Sequence, residues 1–481
     1  MDAVTTDDCC AAPPAAGAAP DLVVIGAGSA GFSAAIRASE LGARVALIGA
    51  GMIGGTCVNI GCVPSKTLIR AAEALHQGKT AARFGGIAAG ARLADWTAVM
   101  AQKDALVDAL REAKYAALLP QYEHISYVEG AARFTADGLV VGDARFPAGR
   151  VVIATGAAPA IPPIPGIGQV TFLTSTTALA LDRLPRSLLV IGGGVIGCEL
   201  GQMFARFGVA VTIACRSHLL PGFDPEIGAG LARALRAEGV RILDKITYDW
   251  VRNAASGIAL DYTQAGQSGV IGAERLLVAT GRVANTANMG LAEAGIALDA
   301  RGAVQTDAFL ATSRPGTYAA GDVTGRDQYV YMAAYGAKLA AENALGQAPR
   351  RYDATAMPEI VFTQLQVAHV GLSEAQARDA GYQVRSVRLD LTALPRALAA
   401  RDTDGFIKLV AEAGTLRLLG AQILAPEGAD TIQTAALAIK QKMTVTDLAE
   451  TVFPYLTTVE GLKLAALGFS RDIHKLSCCA G

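Results

Sequence analysis

The chain is 481 residues long, 52% hydrophobic and only 18% charged, so it holds apolar material for several domains, most simply three or four. Its 42 Lys and Arg nearly cancel 43 Asp and Glu, which argues against a basic surface for nucleic acid or anionic lipid. Mean hydropathy is positive, yet no apolar run of about 18 residues escapes a glycine or a charge, as a membrane-spanning helix would require.

The opening Met-Asp-Ala-Val-Thr-Thr-Asp-Asp lacks the cationic start of a signal peptide, so a cytoplasmic protein is expected. Residues 1–19, rich in Ala and Pro, read as a flexible tail. Cys9 and Cys10 within it are either idle thiols or a capture site for a thiol-seeking ion. Then come an apolar strand, Leu22-Val-Val-Ile25, a turn, Gly26-Ala-Gly28-Ser-Ala-Gly31, and an Ala-rich helix to about Leu41. This is the dinucleotide fingerprint in the context it needs. The glycines allow a tight turn and close backbone approach, and the helix N-terminus receives a pyrophosphate. A second strand, Arg44 to Ile48, is followed by Gly49, where an acid would ordinarily bond the ribose; the ribose must be held some other way.

Residues Gly54 to Lys66 read Gly-Gly-Thr-Cys-Val-Asn-Ile-Gly-Cys-Val-Pro-Ser-Lys. The spacing of Cys57 and Cys62 is that of neither a zinc knuckle nor a thioredoxin-type pair. Pro64 favours a helix start, so a loop turning into a helix at or near Cys62 is expected. A thiol there feels the positive end of the helix dipole, which favours thiolate. Such a pair can form a disulfide, hold a soft metal or pass electrons to a cofactor, and the spacing alone does not choose.

Ala-rich helices are expected from Thr67 to about Leu119, then short strands ending in Val151-Val-Ile-Ala-Thr155-Gly156. Leu188-Leu-Val-Ile191 and Gly192-Gly-Gly194-Val-Ile-Gly197 repeat the fingerprint, and a strand from Ala210 to Ala214 completes a second βαβ unit. Two fingerprints imply two dinucleotides, a flavin and a nicotinamide. After the second strand stand Cys215 and Arg216 with no carboxylate nearby, which favours NADPH over NADH. Leu276-Leu-Val-Ala-Thr280-Gly281 closes this unit, and Thr317-Tyr-Ala-Ala-Gly321-Asp322 ends a later strand in a Gly-Asp turn. The chain thus leaves a first domain, builds a second and returns. From about 353, strands near 360–362, 406–410 and 420–423 and helices near 428–441 and 446–452 read as an α+β domain without a nucleotide motif. The terminal pair Cys478 and Cys479 is better placed to carry a ligand than to brace a fold.

Together these motifs, spanning residues 21–481, resemble the flavoprotein disulfide oxidoreductase family, which includes glutathione reductase and dihydrolipoamide dehydrogenase. The resemblance implies an α/β architecture. Two Rossmann-like domains bind FAD (20–157 and 282–352) and NADPH (158–281), and an α+β dimerisation domain (353–481) forms a homodimer. It implies that Gly26, Gly28 and Gly31 bind the FAD pyrophosphate and Asp322 the ribityl chain. Thr56, Lys66, Thr155, Gly156, Gly281 and Arg282 would be further cofactor contacts, and Gly192, Gly194, Gly197 and Arg216 would bind NADPH. It makes Cys57 the interchange thiol and Cys62 the thiol against the flavin. Lys66 would lie near the flavin N5 edge, paired with Glu199. A Tyr that commonly gates the nicotinamide pocket is replaced here by Val195.

The departures narrow the substrate. Disulfide reductases of the family carry His-Pro-x-x-x-Glu, whose histidine protonates a leaving thiolate. Aligning Glu460 with that glutamate puts Tyr455 at the histidine, and a phenol with pKa near ~10 is a poor proton shuttle at neutral pH. With the terminal cysteines, this resembles the branch of the family that reduces Hg(II) to Hg(0) at the expense of NADPH. The resemblance implies Cys57, Cys62, Cys478 and Cys479 as ligands of the ion, Tyr455 and Glu460 at the catalytic site, and transfer of Hg(II) from the partner subunit's terminal pair. Many members of that branch carry an N-terminal Cys-x-x-Cys domain; this sequence has no such motif, which leaves delivery of the ion open. The alternatives are an NADPH-dependent reductase of lipoamide-like or glutathione-like disulfides and a non-catalytic mercury-sequestering protein.

Overall fold

The structure, a computed structural model, describes residues 19–136, 138–147 and 149–475. The chain divides into two compact units.

The first takes residues up to Pro64, Asp104–Ala158 and Arg282–Tyr352. Its centre is a parallel sheet in the order Thr317–Ala319, Val151–Ile153, Leu22–Ile25, Val45–Gly49, Ile125–Glu129. Leu22–Ile25 is buried along its whole length, which is why it is an unbroken apolar run rather than an alternating one. Leu22 and Val24 pack with helices Ser29–Glu40 and Val330–Ala344, whose buried alanines (Ala34, Ala38, Ala337, Ala341) let the helices lie close. Val23 and Ile25 face the other way, with Phe134, Leu139 and Val141 of a three-stranded antiparallel sheet (Ala132–Thr135, Gly138–Val141, Ala144–Pro147).

The second unit takes Ser65–Lys103, Pro159–Gly281 and Asp353–Gly481. It repeats the βαβ arrangement in a parallel sheet ordered Arg241–Leu243, Ala210–Ala214, Ser187–Ile191, Arg275–Val278, with helix Val195–Arg206 following the glycine turn. A three-stranded meander, Ile246–Ala254, Gly257–Gln264 and Gln267–Ala273, is appended to it. Beyond residue 353 lies an antiparallel sheet ordered Pro358–Val361, Gln366–Gly371, Leu418–Ala425, Phe406–Glu412, Val384–Asp390. Helices Gly428–Lys440 and Glu460–Leu467 share its core. Three of these strands and helices Gly428–Lys440 and Val445–Glu450 were expected from sequence; Gln366–Gly371 and Val384–Asp390 were not. Among the described residues, no helix is long and apolar enough to cross a membrane.

Candidate active site

Strand Leu22–Ile25 runs into Gly26 at φ +119°, which side chains rarely tolerate. A Cβ there would stand 2.6 Å from the Ala154 carbonyl carbon, and one on Gly31 would stand 2.8 Å from the carbonyl carbon of Gly26. Glycine at both positions lets helix Ser29–Glu40 begin directly against the sheet. Gly28 caps that helix with no side-chain hydrogen bond, and no acidic residue stands in its first turn. Its leading N–H groups and the positive end of its dipole are therefore left available to an anion. Gly321, at φ +78°, lies against Ala30 of this first turn, where an added Cβ would be 3.2 Å from the Ala30 Cβ. Asp322 follows it, with Oδ2 3.4 Å from Arg282 Nε. Burial pushes the Asp322 carboxyl above its usual range, opposed by Arg282. Arg282 Nη2 donates to the Ala157 carbonyl, while its buried Nε makes no well-formed hydrogen bond. Thr155 Oγ1 donates to Asn285 O at 2.8 Å, and Gly156 turns at φ +71°. An uncapped helix start beside a half-buried Asp–Arg pair, with the Arg282 Nε buried and unsatisfied, fits the pyrophosphate and polyol of FAD.

The cysteine segment departs from the expected loop. Cys57 sits in a short helix of its own, Gly55–Ile60; Gly61 breaks it, and Cys62 is the first residue of the 18-residue helix Cys62–Lys79. A Cβ on Gly61 would stand 2.9 Å from Thr56 O, so this break needs glycine. Gly54 pairs with Gly28, and a Cβ on Gly55 would stand 2.6 Å from the Gly28 Cα. The segment is thereby pressed onto the first glycine turn. Asn59 Nδ2 braces it by donating to Ile53 O (2.9 Å) and Gly55 O (2.8 Å). Cys57 and Cys62 are half-buried and Thr56 is exposed. The sequence reading missed Tyr115. Its ring packs edge-on to Phe32 at 4.9 Å, and its hydroxyl lies 3.1 Å from Ser29 Oγ. Burial raises its pKa, and the charges of Cys57 and Cys62 add to that rise, which puts the phenol in the neighbourhood of both thiols. A lone Tyr after an Ala-rich helix gives no sequence signal.

The second unit repeats the first turn's stereochemistry. Gly192 takes φ +118° with a notional Cβ 2.7 Å from the Ala279 carbonyl carbon, and Gly197 faces the Gly192 carbonyl. Gly194 caps helix Val195–Arg206 without a side-chain bond, Val195 is its first residue, and Gly281 turns at φ +107°. Cys215 is buried, its thiol directed at Ser217 O (3.4 Å) and its pKa pushed up to about 11 by burial, while Arg216 beside it is exposed. The residue free to meet a nucleotide ribose is thus a cation, not an acid. In the same helix Glu199, 4% exposed, accepts from Lys66 Nζ at 2.7 Å and from the Phe362 N–H at 2.8 Å. Lys66 Nζ also sits 4.9 Å from the centre of the Phe362 ring.

Tyr455 is 47% exposed and Glu460 9%. Leu456 between them takes φ +61°, and its N–H donates to Glu460 Oε2 at 3.3 Å. Burial raises the Glu460 carboxyl, opposed by that N–H. Cys478, Cys479, Cys9 and Cys10 lie outside the described residues.

Residues 20–343 match the family model described as pyridine nucleotide-disulphide oxidoreductase, and residues 357–466 match that family's dimerisation domain. A mercuric reductase of Acidithiobacillus ferrooxidans is 47% identical over 466 residues, which span 96% of this chain and 84% of that protein. One of Streptomyces lividans is 45% identical over 468 residues, 96% of this chain and 98% of that protein. Among solved structures, the Cu(II) complex of the HOCl-induced flavoprotein disulfide reductase RclA from Escherichia coli superposes with a TM-score of 0.83 at 30% identity, covering 95% of this chain and all of that one. LpdA from Mycobacterium tuberculosis gives the same TM-score at 27% identity, covering 94% of this chain and all of that one. With two uncapped glycine turns, a paired-cysteine segment against the first of them and matches over nearly its whole length, the chain belongs to the pyridine nucleotide-disulphide oxidoreductase family, on its mercuric reductase branch.

Proposed function

We propose that the protein is a mercuric reductase: NADPH and Hg(II) are converted to NADP+, a proton and Hg(0). The observation that carries this reading is the cysteine segment pressed onto the first glycine turn, in a chain whose expected proton donor is replaced by Tyr455. Bound FAD would supply the two-electron relay between the nicotinamide and the ion. The remaining work falls to the protein's own groups. Gly26, Gly28 and Gly31 open the backbone to the FAD pyrophosphate, and Asp322 and Arg282 meet its polyol, with Thr56, Thr155 and Gly156 around them. Gly192, Gly194, Gly197 and Gly281 do the same for NADPH, whose 2′-phosphate falls to Arg216. Lys66, held by Glu199, serves the reductive half of the reaction.

Hg(II) is soft and takes thiolate ligands. Cys62 at a helix N-terminus and Cys57 one short helix earlier supply two, the first activated by the helix dipole. Release of so tightly held an ion requires stepwise ligand exchange. We assign the entry ligands to Cys478 and Cys479 of a partner subunit in a homodimer, with the Tyr455 phenol and Glu460 completing the site. The division into an FAD domain (20–157, 282–352), an NADPH domain (158–281) and a dimerisation domain (353–481) belongs to this proposal, as does a cytoplasmic location.

The test is NADPH oxidation by the purified protein with Hg(II), lipoamide or oxidised glutathione as acceptor. Turnover only with Hg(II), abolished in Cys57→Ala and in Cys62→Ala while both variants stay yellow, is the expected result. Turnover with the disulfides alone would replace this reading with that of a disulfide reductase.

A further inference from the structure

The first βαβ unit lacks the acid that a dinucleotide fold ordinarily places after its second strand to bond the adenosine ribose. The position is Gly49, and the structure leaves no room for a side chain there. A Cβ on Gly49 would stand 2.6 Å from the Tyr127 hydroxyl, 2.9 Å from its Cε2 and 2.7 Å from the Ala27 Cβ, all below ordinary contact. The space of the missing side chain is taken by Tyr127, two residues before the end of the neighbouring strand.

That strand, Ile125–Glu129, runs parallel to Val45–Gly49 with Gly49 and Glu129 as register partners, and Gly130 N–H donates to Gly49 O at 2.8 Å. Paired residues in adjacent strands face the same side of a sheet, as do residues two apart in one strand. Glu129 therefore stands on the same face as Tyr127 and as the side chain that Gly49 lacks, one strand over. It is level with Gly49 at the carboxyl edge of the sheet, where such folds bind their ligands. Tyr127 is half-buried beneath it, and its pKa is raised by burial and then by the charge of Glu129, which places that carboxylate close to the hydroxyl filling the Gly49 space. Glu129 itself is exposed, its carboxylate open to a ligand.

We propose that Glu129 is the ribose-binding acid of the FAD site, accepting a hydrogen bond from the adenosine 2′-hydroxyl in place of the side chain that Gly49 cannot carry. The proposal rests on FAD as the first dinucleotide and not on the identity of the electron acceptor. Apoprotein stripped of flavin is titrated with FAD and with an FAD analogue built on 2′-deoxyadenosine, following flavin fluorescence, for the native chain and Glu129→Ala. The native chain should bind the analogue about tenfold more weakly than FAD, the worth of one charge-assisted hydrogen bond. Glu129→Ala should bind FAD about tenfold more weakly than the native chain and lose nothing further with the analogue. Losses that multiply in the variant, or an FAD affinity unchanged by Glu129→Ala, would overturn the proposal. Failure of the native apoprotein to take up FAD at all would instead remove the flavin reading itself.

Discussion

Replacing Gly31 by alanine tests the two glycine turns against each other. The added Cβ would stand 2.8 Å from the Gly26 carbonyl carbon and closer still to its oxygen. Carbon atoms settle at about 3.5–4.0 Å, so the start of helix Ser29–Glu40 must retreat by roughly 1 Å. A hydrogen bond stretched from about 2.9 Å by that much is lost. Two such bonds from the leading N–H groups to a pyrophosphate, at about 1.5–3 kcal/mol each, amount to about 3–6 kcal/mol, or a ~10²- to 10⁴-fold weaker hold on FAD. Gly31→Ala should therefore purify with little flavin absorbance. Gly197→Ala, whose Cβ would meet the Gly192 carbonyl in the same way, should stay yellow yet resist bleaching by NADPH under anaerobic conditions. A Gly31→Ala protein holding a full complement of flavin, or a colourless Gly197→Ala protein, would refute the assignment of the first turn to FAD and the second to NADPH.

Two further outcomes follow from the second unit. Arg216→Ala should raise the KM for NADPH at least tenfold and leave that for NADH nearly unchanged, measured in steady-state turnover; equal effects on both would remove Arg216 from the 2′-phosphate. Burial lifts the Cys215 thiol from an ordinary 9.0 to about 11. The unfolded chain thus ionises first, and native stability falls by ~1.4 kcal/mol per pH unit between about 9 and 11, with no effect below 9. Cys198, also raised by burial, adds to the same trend. Thermal unfolding of Cys215→Ala should decline less steeply across that window than that of the native chain, and parallel declines would contradict the burial of this thiol.

Much of the site could be read from the sequence because its cofactor chemistry is local. Each glycine turn lies within a dozen residues of its strand and helix, so the periodicity and the glycines point to one answer. The Lys66–Glu199 contact joins residues far apart in sequence and came only through the family resemblance. The separate helix under Cys57 escaped because the break at Gly61 is set by its approach to Thr56 O. Strand Val384–Asp390 lies at the edge of its sheet, and Arg385, Ser386 and Arg388 mask its apolar alternation. Gln366–Gly371 is buried but interrupted by Gln366 and His369, which hydrogen-bond inside the sheet region through Ala429 N–H and Gln422. Polar residues whose partners lie more than 50 positions away look like loop residues to any short window.

The order of strands in the first unit bears on how the protein is made. Leu22–Ile25 leaves the ribosome early, but the outer strand Thr317–Ala319 and the carboxylate of Asp322 are synthesised only after about two-thirds of the chain, and the whole second parallel sheet is translated in between. With Asp322 assigned to the flavin, as proposed above, flavin capture is expected late in biosynthesis, and the early strands wait with an unfilled edge while distant segments arrive. Any product cut short before residue 317 would lack both that edge strand and the carboxylate we assign to the polyol.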